Sequence, residues 1–200
     1  GVCWATDFYR FQSVVVDVPK GFKLFLPLAA LDVLKFIKLS YAETIQVGEN
    51  EDFYGFVVGE DMFLCRKSKV SPMNVKDTFL KYEDKVDKFF TAEVTQVMNI
   101  VKRIGITSER GLAKILITLS PSDVGFYGKD DIGNTGEEHL EAHVSGVTDT
   151  MGKFQVQTHW EYLVQALQAV NDKTVVIGAV DNFVTIKAEG SFGIVPVIRA

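Results

Sequence analysis

Cysteine is almost absent from this sequence of 200 residues, which contains only Cys3 and Cys65. Two thiols so far apart in sequence cannot form the dense disulfide framework of a small secreted domain, and they provide no closely spaced pair for zinc. Neither has a flanking motif typical of an activated nucleophile, so we interpret both as buried packing residues. Scarce cysteine is typical of the reducing cytoplasm, where we expect this protein to be located.

Long hydrophobic runs and an excess of basic residues are also missing. The most apolar window, residues 23–34, is interrupted by Pro27 and Asp32 and is shorter than the roughly 20 residues of a membrane-spanning helix, so no membrane association is expected. Lys and Arg number 21 against 26 Asp and Glu, which gives a net charge of −5. This balance argues against a protein that coats nucleic acid by bulk charge, although it allows a local basic face.

Histidine is scarce as well, and two of the three histidines lie in the stretch EEHLEAH. His139, Glu141 and His143 alternate there, which would place them on one face of a strand. Such a trio could bind a metal ion, but the adjacent Glu137 and Glu138 favour a solvated strand face. The sequence also lacks a glycine-rich phosphate loop before a helix. We therefore predict no catalytic residues, no metal site and no cofactor.

Three segments have the apolar spacing of an amphipathic helix. They lie at residues 28–38, at residues 91–104 and after Thr158, whose spacing from Glu161 is that of a capping box. Each follows a short alternating strand and precedes strand-like runs, which are predicted at 43–47, 53–58 and 62–66, at 114–119, 124–127 and 138–144, and at 174–177, 183–187 and 192–198. The pattern predicts one unit of strand, helix and three strands, written three times.

Each predicted helix can cover only part of its short sheet, so the units should pair to bury both apolar stripes. This arrangement is an α+β fold with helices packed on one face of antiparallel sheets. Three units leave one without a partner, and residues 1–18 resemble the end of a fourth. We therefore expect the chain to be the C-terminal part of a longer protein.

Two surface patterns suggest binding. Lys35, Lys38, Lys102 and Arg103 lie on polar faces of the first two predicted helices. They could face phosphates, or they could be ordinary solvated residues. The opening WATDFYRF is dense in aromatic residues, and the final FGIVPVIRA stays apolar almost to its last residue. Both patterns are typical of either a core strand or the lip of a binding groove.

Four stretches in order resemble the bacterial sliding clamp, the beta subunit of DNA polymerase III. WATDFYRFQSVVV resembles its ATDGHRLA strand, FLPLAALDVLKFIKL its middle-domain helix, HWEYLVQALQAV its last helix and FGIVPVIRA its terminal strand. The resemblance covers essentially the whole chain. It implies a DNA-clamp fold in which residues 1–78 form the C-terminal half of the middle domain and residues 79–200 the complete third domain. Phe8 and Tyr9 replace the family's Gly-His, which fits a divergent, phage or plasmid clamp.

The resemblance implies a non-enzymatic processivity factor. In the full-length protein, two subunits would form a head-to-tail ring around duplex DNA of any sequence, with Lys35, Lys38, Lys102 and Arg103 facing the DNA. The ring would tether DNA polymerase and the clamp loader through clamp-binding peptides. By position, the peptide-binding groove would consist of Thr6, Phe8, Tyr9, Arg10, Phe11, His159, Tyr162, Phe183, Val195, Pro196, Val197, Ile198 and Arg199.

Two alternatives remain open at this point. A clamp-fold interaction protein could bind peptides without encircling DNA, and the bulky Phe8 and Tyr9 in the groove favour this alternative. A small hydrolase or metal enzyme would have to use Cys65 or the trio of His139, Glu141 and His143, and would be supported by stoichiometric zinc.

Overall fold

A computed structural model describes residues 1–7, 9–27, 30–31, 45–69, 73–108, 113–150 and 152–198. The chain divides into two compact units, of which the larger combines Gly1–Val18 with Val75–Ala200 and the smaller comprises Pro19–Asn74. The predicted boundary between residues 78 and 79 refers to clamp domains and stays a prediction. Most of the predicted helix at 28–38 lies outside the described residues. Within those residues, no helix is long and apolar enough to cross a membrane.

Antiparallel strands are the commonest regular structure among the described residues. In chain order they are β1 (Val2–Thr6), β2 (Phe11–Val15), β3 (Gln46–Glu49), β4 (Phe53–Val58), β5 (Asp61–Arg66), β6 (Lys88–Glu93), β7 (Lys114–Ser120), β8 (Asp123–Lys129), β9 (Thr135–Glu141), β10 (Val144–Ser145), β11 (Phe154–His159), β12 (Thr174–Val180), β13 (Phe183–Ala188) and β14 (Ser191–Pro196). The helices are α1 (Val75–Thr78), α2 (Val94–Ser108) and α3 (Trp160–Gln168), and Leu80–Tyr82 forms a 3-10 turn.

The larger unit is built on two sheets. A seven-stranded sheet has the order β1-β2-β14-β13-β12-β6-β10, and a four-stranded sheet has the order β11-β7-β8-β9. Because β2 pairs with β14, with Phe11 opposite Ile194, the first residues of the chain lie beside its last strand. This pairing positions the site described below.

Helix α2 has the predicted apolar stripe. Val97, Val101 and Ile104 are spaced at helical intervals and are buried in one core with residues of both sheets and α3. The predicted start at residue 91 was wrong, because residues 91–93 belong to β6 and pair with β12. Thr91 to Glu93 can alternate across a sheet, and this pairing prevails over helix formation.

Helix α3 also buries its predicted stripe, including Leu163 and Leu167. The predicted capping box was wrong. His159 occupies the N-cap position without a side-chain capping bond, and the Thr158 hydroxyl instead donates to the Pro196 carbonyl oxygen at 2.8 Å. The hydroxyl therefore links α3 to the end of β14 and does not cap its own helix.

The smaller unit contains the three-stranded sheet β3-β4-β5. β4 and β5 agree closely with the predicted runs 53–58 and 62–66, which are rich in aromatic and other apolar residues. The run predicted at 43–47 lies partly outside the described residues, and β3 extends beyond it to Glu49. Phe56 stacks on Phe63 at 4.5 Å between ring centroids. Cys65 is buried in this core, and burial raises the pKa of its thiol, which makes it a poor nucleophile at neutral pH. Cys3, by contrast, is exposed, so its interpretation as a buried residue was wrong.

His139 lies on the exposed face of β9 between two carboxylates. Its Nδ1 is 2.8 Å from Asp123 Oδ2, and its Nε2 is 3.1 Å from Glu137 Oε1. The hydrogen bonds to Asp123 and then to Glu137 raise the pKa of the imidazole above its ordinary value of 6.5. The carboxylates thus favour the imidazolium form on this surface.

We expect Gly105→Ala to destabilise the larger unit. A Cβ at residue 105 would lie 2.5 Å from Trp160 Cδ2, so the indole must move. The resulting loss in unfolding free energy, about 1–2 kcal/mol, outweighs the gain in helix propensity and can be measured by urea denaturation. In the control Gly125→Ala, the new Cβ would make an ordinary contact at 3.4 Å with His139 Cε1. Equal stability losses in both variants would contradict the predicted overlap.

The pKa of His139 should respond in a fixed order to removal of its partners. Because the folded-state pKa of His139 is raised, its interactions with Asp123 and Glu137 stabilise the folded chain fully below pH 6.5. This stabilisation is lost as the pH rises through the folded-state pKa of His139. Asp123→Asn should lower this pKa more than Glu137→Gln, since Asp123 is the larger cause. An NMR titration of the imidazole measures both shifts, and an unchanged midpoint in Asp123→Asn would refute the assignment.

Candidate functional site

A partly exposed surface lies where β2, α3 and the last strand meet. Its defining members are Arg10, His159, Tyr162, Phe183 and Pro196, which we call the terminal-strand surface. The β2–β14 ladder and an isolated bridge between Thr158 and Val197 bring these segments together. All of them belong to the larger unit.

Arg10 is fixed at one end of this surface. Its Nε donates to Asp7 Oδ2 at 2.8 Å, and a terminal nitrogen donates to Gln165 Oε1. Asp7 Oδ1 in turn accepts the backbone N–H groups of Tyr9 and Arg10, at 3.1 and 3.0 Å. The guanidinium carbon lies 4.2 Å from the centroid of the Tyr162 ring. This geometry orients a planar cation on an aromatic face before any ligand arrives.

Asp7 keeps its negative charge in this arrangement. Partial burial acts to raise its pKa, but hydrogen bonds from the backbone and side chain of Arg10 and the backbone of Tyr9 outweigh that effect and hold the pKa below its ordinary value. The carboxylate is therefore ionised at neutral pH and offsets part of the Arg10 charge. The terminal-strand surface is consequently polar and aromatic at this end without a strong net charge.

His159 adds an aromatic ring to the terminal-strand surface, and the adjacent Trp160 packs its indole beside Gly105 of α2. The His159 ring stacks on Tyr162 at 4.7 Å between centroids. Among the described residues, His159 Nδ1 and Trp160 Nε1 are buried without a hydrogen-bond partner. Buried polar atoms are usually paired, so these two are candidates for bonds with a bound water or ligand.

The backbone of the last strand is held on the side of β11. The carbonyl oxygen of Pro196 accepts the Thr158 hydroxyl at 2.8 Å, and Ile198 N–H donates to the Gln157 carbonyl at 2.8 Å. These bonds fix the backbone of residues 196–198, whose side chains are half-buried, and Val197 packs against the core of the larger unit. A rigid, partly apolar strand of this kind suits recognition of an extended peptide.

Aromatic residues complete the other end of the terminal-strand surface. Phe183 lies opposite Pro196 in the β13–β14 ladder, and its ring is 5.1 Å from that of Tyr82. The buried Phe11 and Phe79 stack with their ring centroids 5.0 Å apart, and Phe79 directly precedes the 3-10 turn. The segment that contains the 3-10 turn therefore lines this end.

The predicted groove residues fall into three groups. Phe11 and Val195 are core residues with 2% and 1% exposure, so they would support the surface without touching a ligand. Phe8 and Arg199 lie outside the described residues. Tyr9 is exposed, and the half-buried members are Thr6, Arg10, His159, Tyr162, Phe183, Pro196, Val197 and Ile198. Their role in peptide binding stays a prediction.

Sequence reasoning missed three residues that shape this surface. Asp7 and Gln165 orient Arg10, and Tyr82 packs against Phe183. The spacing of Asp7 three residues before Arg10 was a usable signal, since a turn brings such a pair together. No local pattern pointed to Gln165 or Tyr82, because their contacts come from distant parts of the chain.

The predicted DNA-facing residues are only partly described. Lys35 and Lys38 lie outside the described residues. Lys102 is exposed on α2, but Arg103 donates to both carboxylate oxygens of Glu138, at 2.7 and 2.6 Å. The hydrogen bond from Arg103 lowers the pKa of Glu138, which keeps the pair charged. Arg103 therefore adds less positive potential to this face than its sequence position suggested.

The trio of His139, Glu141 and His143 does not form a metal site. His139 bonds instead to Asp123 and Glu137, and no group of three or more metal-binding side chains comes together within the described ranges. An open depression of about 340 Å³ on this sheet face includes His139 and Tyr127. Its lining is mostly polar, and both ring nitrogens of His139 are engaged by Asp123 and Glu137 and not by the hydroxyls of Thr118 or Ser120.

Comparisons with known proteins find similarity in structure and none in sequence. No family model matches the chain, and neither does any curated protein. The DNA polymerase III subunit beta from Pseudomonas aeruginosa matches with a TM-score of 0.84 at 15% identity, over 100% of this chain and 55% of that chain. The Caulobacter crescentus pol III beta matches with a TM-score of 0.84 at 13% identity, over 100% of this chain and 54% of that chain.

A further match is the beta subunit from Borrelia burgdorferi, solved in complex with a natural product. Its TM-score is 0.84 at 12% identity, over 99% of this chain and 53% of that chain. The chain thus spans about half the length of the solved structures that it matches. The predicted α+β class is confirmed, and the chain has the sliding-clamp fold of the C-terminal part of a bacterial DNA polymerase III beta subunit.

Proposed function

We propose that the chain is the C-terminal part of a DNA sliding clamp, a non-enzymatic processivity factor that tethers replication proteins to duplex DNA. The observation that carries this proposal is the clamp fold itself, which extends over the full length of the chain. A fold alone does not define a function, so the proposal also depends on the site. In the full-length protein, two subunits would close head to tail into a ring in the cytoplasm.

The terminal-strand surface would be the docking site for partner peptides of DNA polymerase and the clamp loader. Pro196 and Phe183 offer apolar contacts, and Arg10 and Tyr162 offer a fixed cation on an aromatic ring. A few aromatic and arginine anchors can supply most of the affinity of a small interface. The half-buried His159 ring, which stacks on Tyr162, would extend the aromatic contact.

Contact with DNA would be weak and independent of sequence. Exposed cations on the polar helix faces, such as Lys102, would face phosphates, and binding would fall as salt rises. Such contacts position a protein on DNA without identifying bases. The net charge of −5 would limit adhesion of other surfaces to DNA, which suits a ring that must slide.

One observation favours a second candidate function, a clamp-fold interaction protein that binds peptides without encircling DNA. Arg103, one of the predicted DNA-facing residues, is engaged by Glu138 at 2.6 Å, so its charge is largely offset. Two of the four predicted DNA-facing residues, Lys35 and Lys38, lie outside the described residues. Of the two that are described, Lys102 is the exposed one without a paired carboxylate. The two candidates share the peptide surface and differ in their dependence on DNA.

Peptide binding should depend strongly on Arg10. We expect Arg10→Ala to weaken binding of a fluorescent peptide, with Gln followed by apolar residues and ending in Leu-Phe, by at least about tenfold, because arginine anchors often dominate small interfaces. Fluorescence anisotropy with the 200-residue chain measures the change. The matched control is Arg66→Ala, which removes an exposed arginine from β5 in the smaller unit. Unchanged affinity in folded Arg10→Ala would refute the role of this surface.

Release of Arg103 should increase salt-dependent DNA binding. We expect Glu138→Gln to free the guanidinium and steepen the dependence of log affinity on log salt by about one unit for a short duplex. The control Glu141→Gln removes one negative charge from the same strand without releasing Arg103. Equal effects of the two substitutions would contradict the pairing argument. An absence of salt-dependent binding in every variant would support the interaction protein over the clamp.

A further inference from the structure

Two lysines converge on one aromatic ring beside the terminal-strand surface. Lys81 Nζ lies 5.0 Å and Lys85 Nζ 5.9 Å from the centroid of Tyr82. The 3-10 turn and the following turn produce this geometry, since Lys85 N–H donates to the Tyr82 carbonyl at 3.2 Å. Both lysines are exposed, so their ammonium groups are accessible to a ligand.

Two nearby carboxylates are paired with lysines other than Lys81 and Lys85. Glu83 is 3.1 Å from Lys187, and Asp87 is 2.8 Å from Lys88. Within the part of the chain that the structure describes, neither Lys81 nor Lys85 has a carboxylate at salt-bridge distance.

The Tyr82 ring, which both ammonium groups approach, also contacts the apolar end of the terminal-strand surface. Tyr82 is 5.1 Å from Phe183, and Phe183 lies opposite Pro196. Both ammonium groups therefore lie within about 11 Å of the centroid of Phe183, on which an apolar peptide side chain would pack. An extended peptide advances roughly 3.3 Å per residue, so an acidic residue within about three positions could reach them.

We propose that Lys81 and Lys85 form a carboxylate-binding subsite, so that the terminal-strand surface selects peptides with an acidic residue close to their apolar anchor. This inference rests on the proposed peptide-binding function. Lysine suits the task because its flexible ammonium group can follow a carboxylate held mainly by neighbouring contacts. A duplex is a poorer occupant, because Glu83 and Asp84 would repel further phosphates and Phe183 offers an apolar contact.

The test compares two fluorescent peptides with the same apolar residues, one with Glu beside the anchor and one with Gln. We expect the wild-type chain to bind the acidic peptide about five- to tenfold more tightly at low salt, as expected for partly exposed charge pairs. In the double variant Lys81→Gln/Lys85→Gln this preference should disappear while the neutral peptide keeps its affinity. The control Lys129→Gln/Lys153→Gln changes the net charge equally at two exposed sites on the four-stranded sheet or its adjoining segment and should retain the preference.

The possible outcomes separate the inference from the function on which it rests. Binding of neither peptide to the wild-type chain would contradict the proposed function and the inference with it. Equal binding of both peptides, or a preference that persists in the Lys81/Lys85 variant, would overturn the inference and leave peptide binding intact. Competition by a short duplex that is lost in the same variant would assign the lysines to phosphate contact and overturn the carboxylate subsite.

Discussion

The pairing of β2 with β14 is the constraint on which the candidate site depends. It joins the first residues of the chain to the last strand, with Phe11 opposite Ile194. Phe11 then stacks on Phe79, which ties the 3-10 segment to the same ladder. Burial of such an aromatic ring contributes about 2–3 kcal/mol, so the arrangement is strongly specified. Only with this ladder in place can Arg10 lie on Tyr162, and the terminal-strand surface is therefore a product of long-range pairing.

Arg10 and Arg103 differ from Lys81, Lys85 and Lys102 in having a carboxylate beside the charged group. Arg10 and Arg103 are each held by a carboxylate, Asp7 and Glu138, in geometries that suit a planar guanidinium. These pairs orient side chains more than they add positive potential, because each charge is offset locally. The lysines near Tyr82 contact the ring without a carboxylate partner, and Lys102 is exposed. Among these five described side chains, the positive charge without a paired carboxylate is thus carried by the lysines.

The sequence predicted elements whose pattern was local and missed features set by distant contacts. The run 53–58 was recovered because it is rich in aromatic and β-branched residues, and the stripe of α2 because helical spacing buries one face. The start of α2 failed because β12 recruits residues 91–93 into the sheet, and the cap at Thr158 failed because its hydroxyl has a better-placed acceptor at Pro196. At the site, the resemblance supplied Arg10 and Tyr162, whereas Gln165 and Tyr82 required the tertiary structure.

Because sequence identity to the solved clamps is low, their structures inform the backbone of this chain but not its side chains. At 12–16% identity, TM-scores of 0.82–0.85 show that the backbone is alike while most side chains differ. What such a likeness carries to this chain is strand geometry, such as the path of β14 beside β2. Under the proposed function, ligand preference would depend instead on the groups placed along that path, here the tethered Arg10 and the aromatic pair of Tyr82 and Phe183. Because these groups are fixed by contacts within this chain, the proposed specificity has to be derived from them and not from the fold.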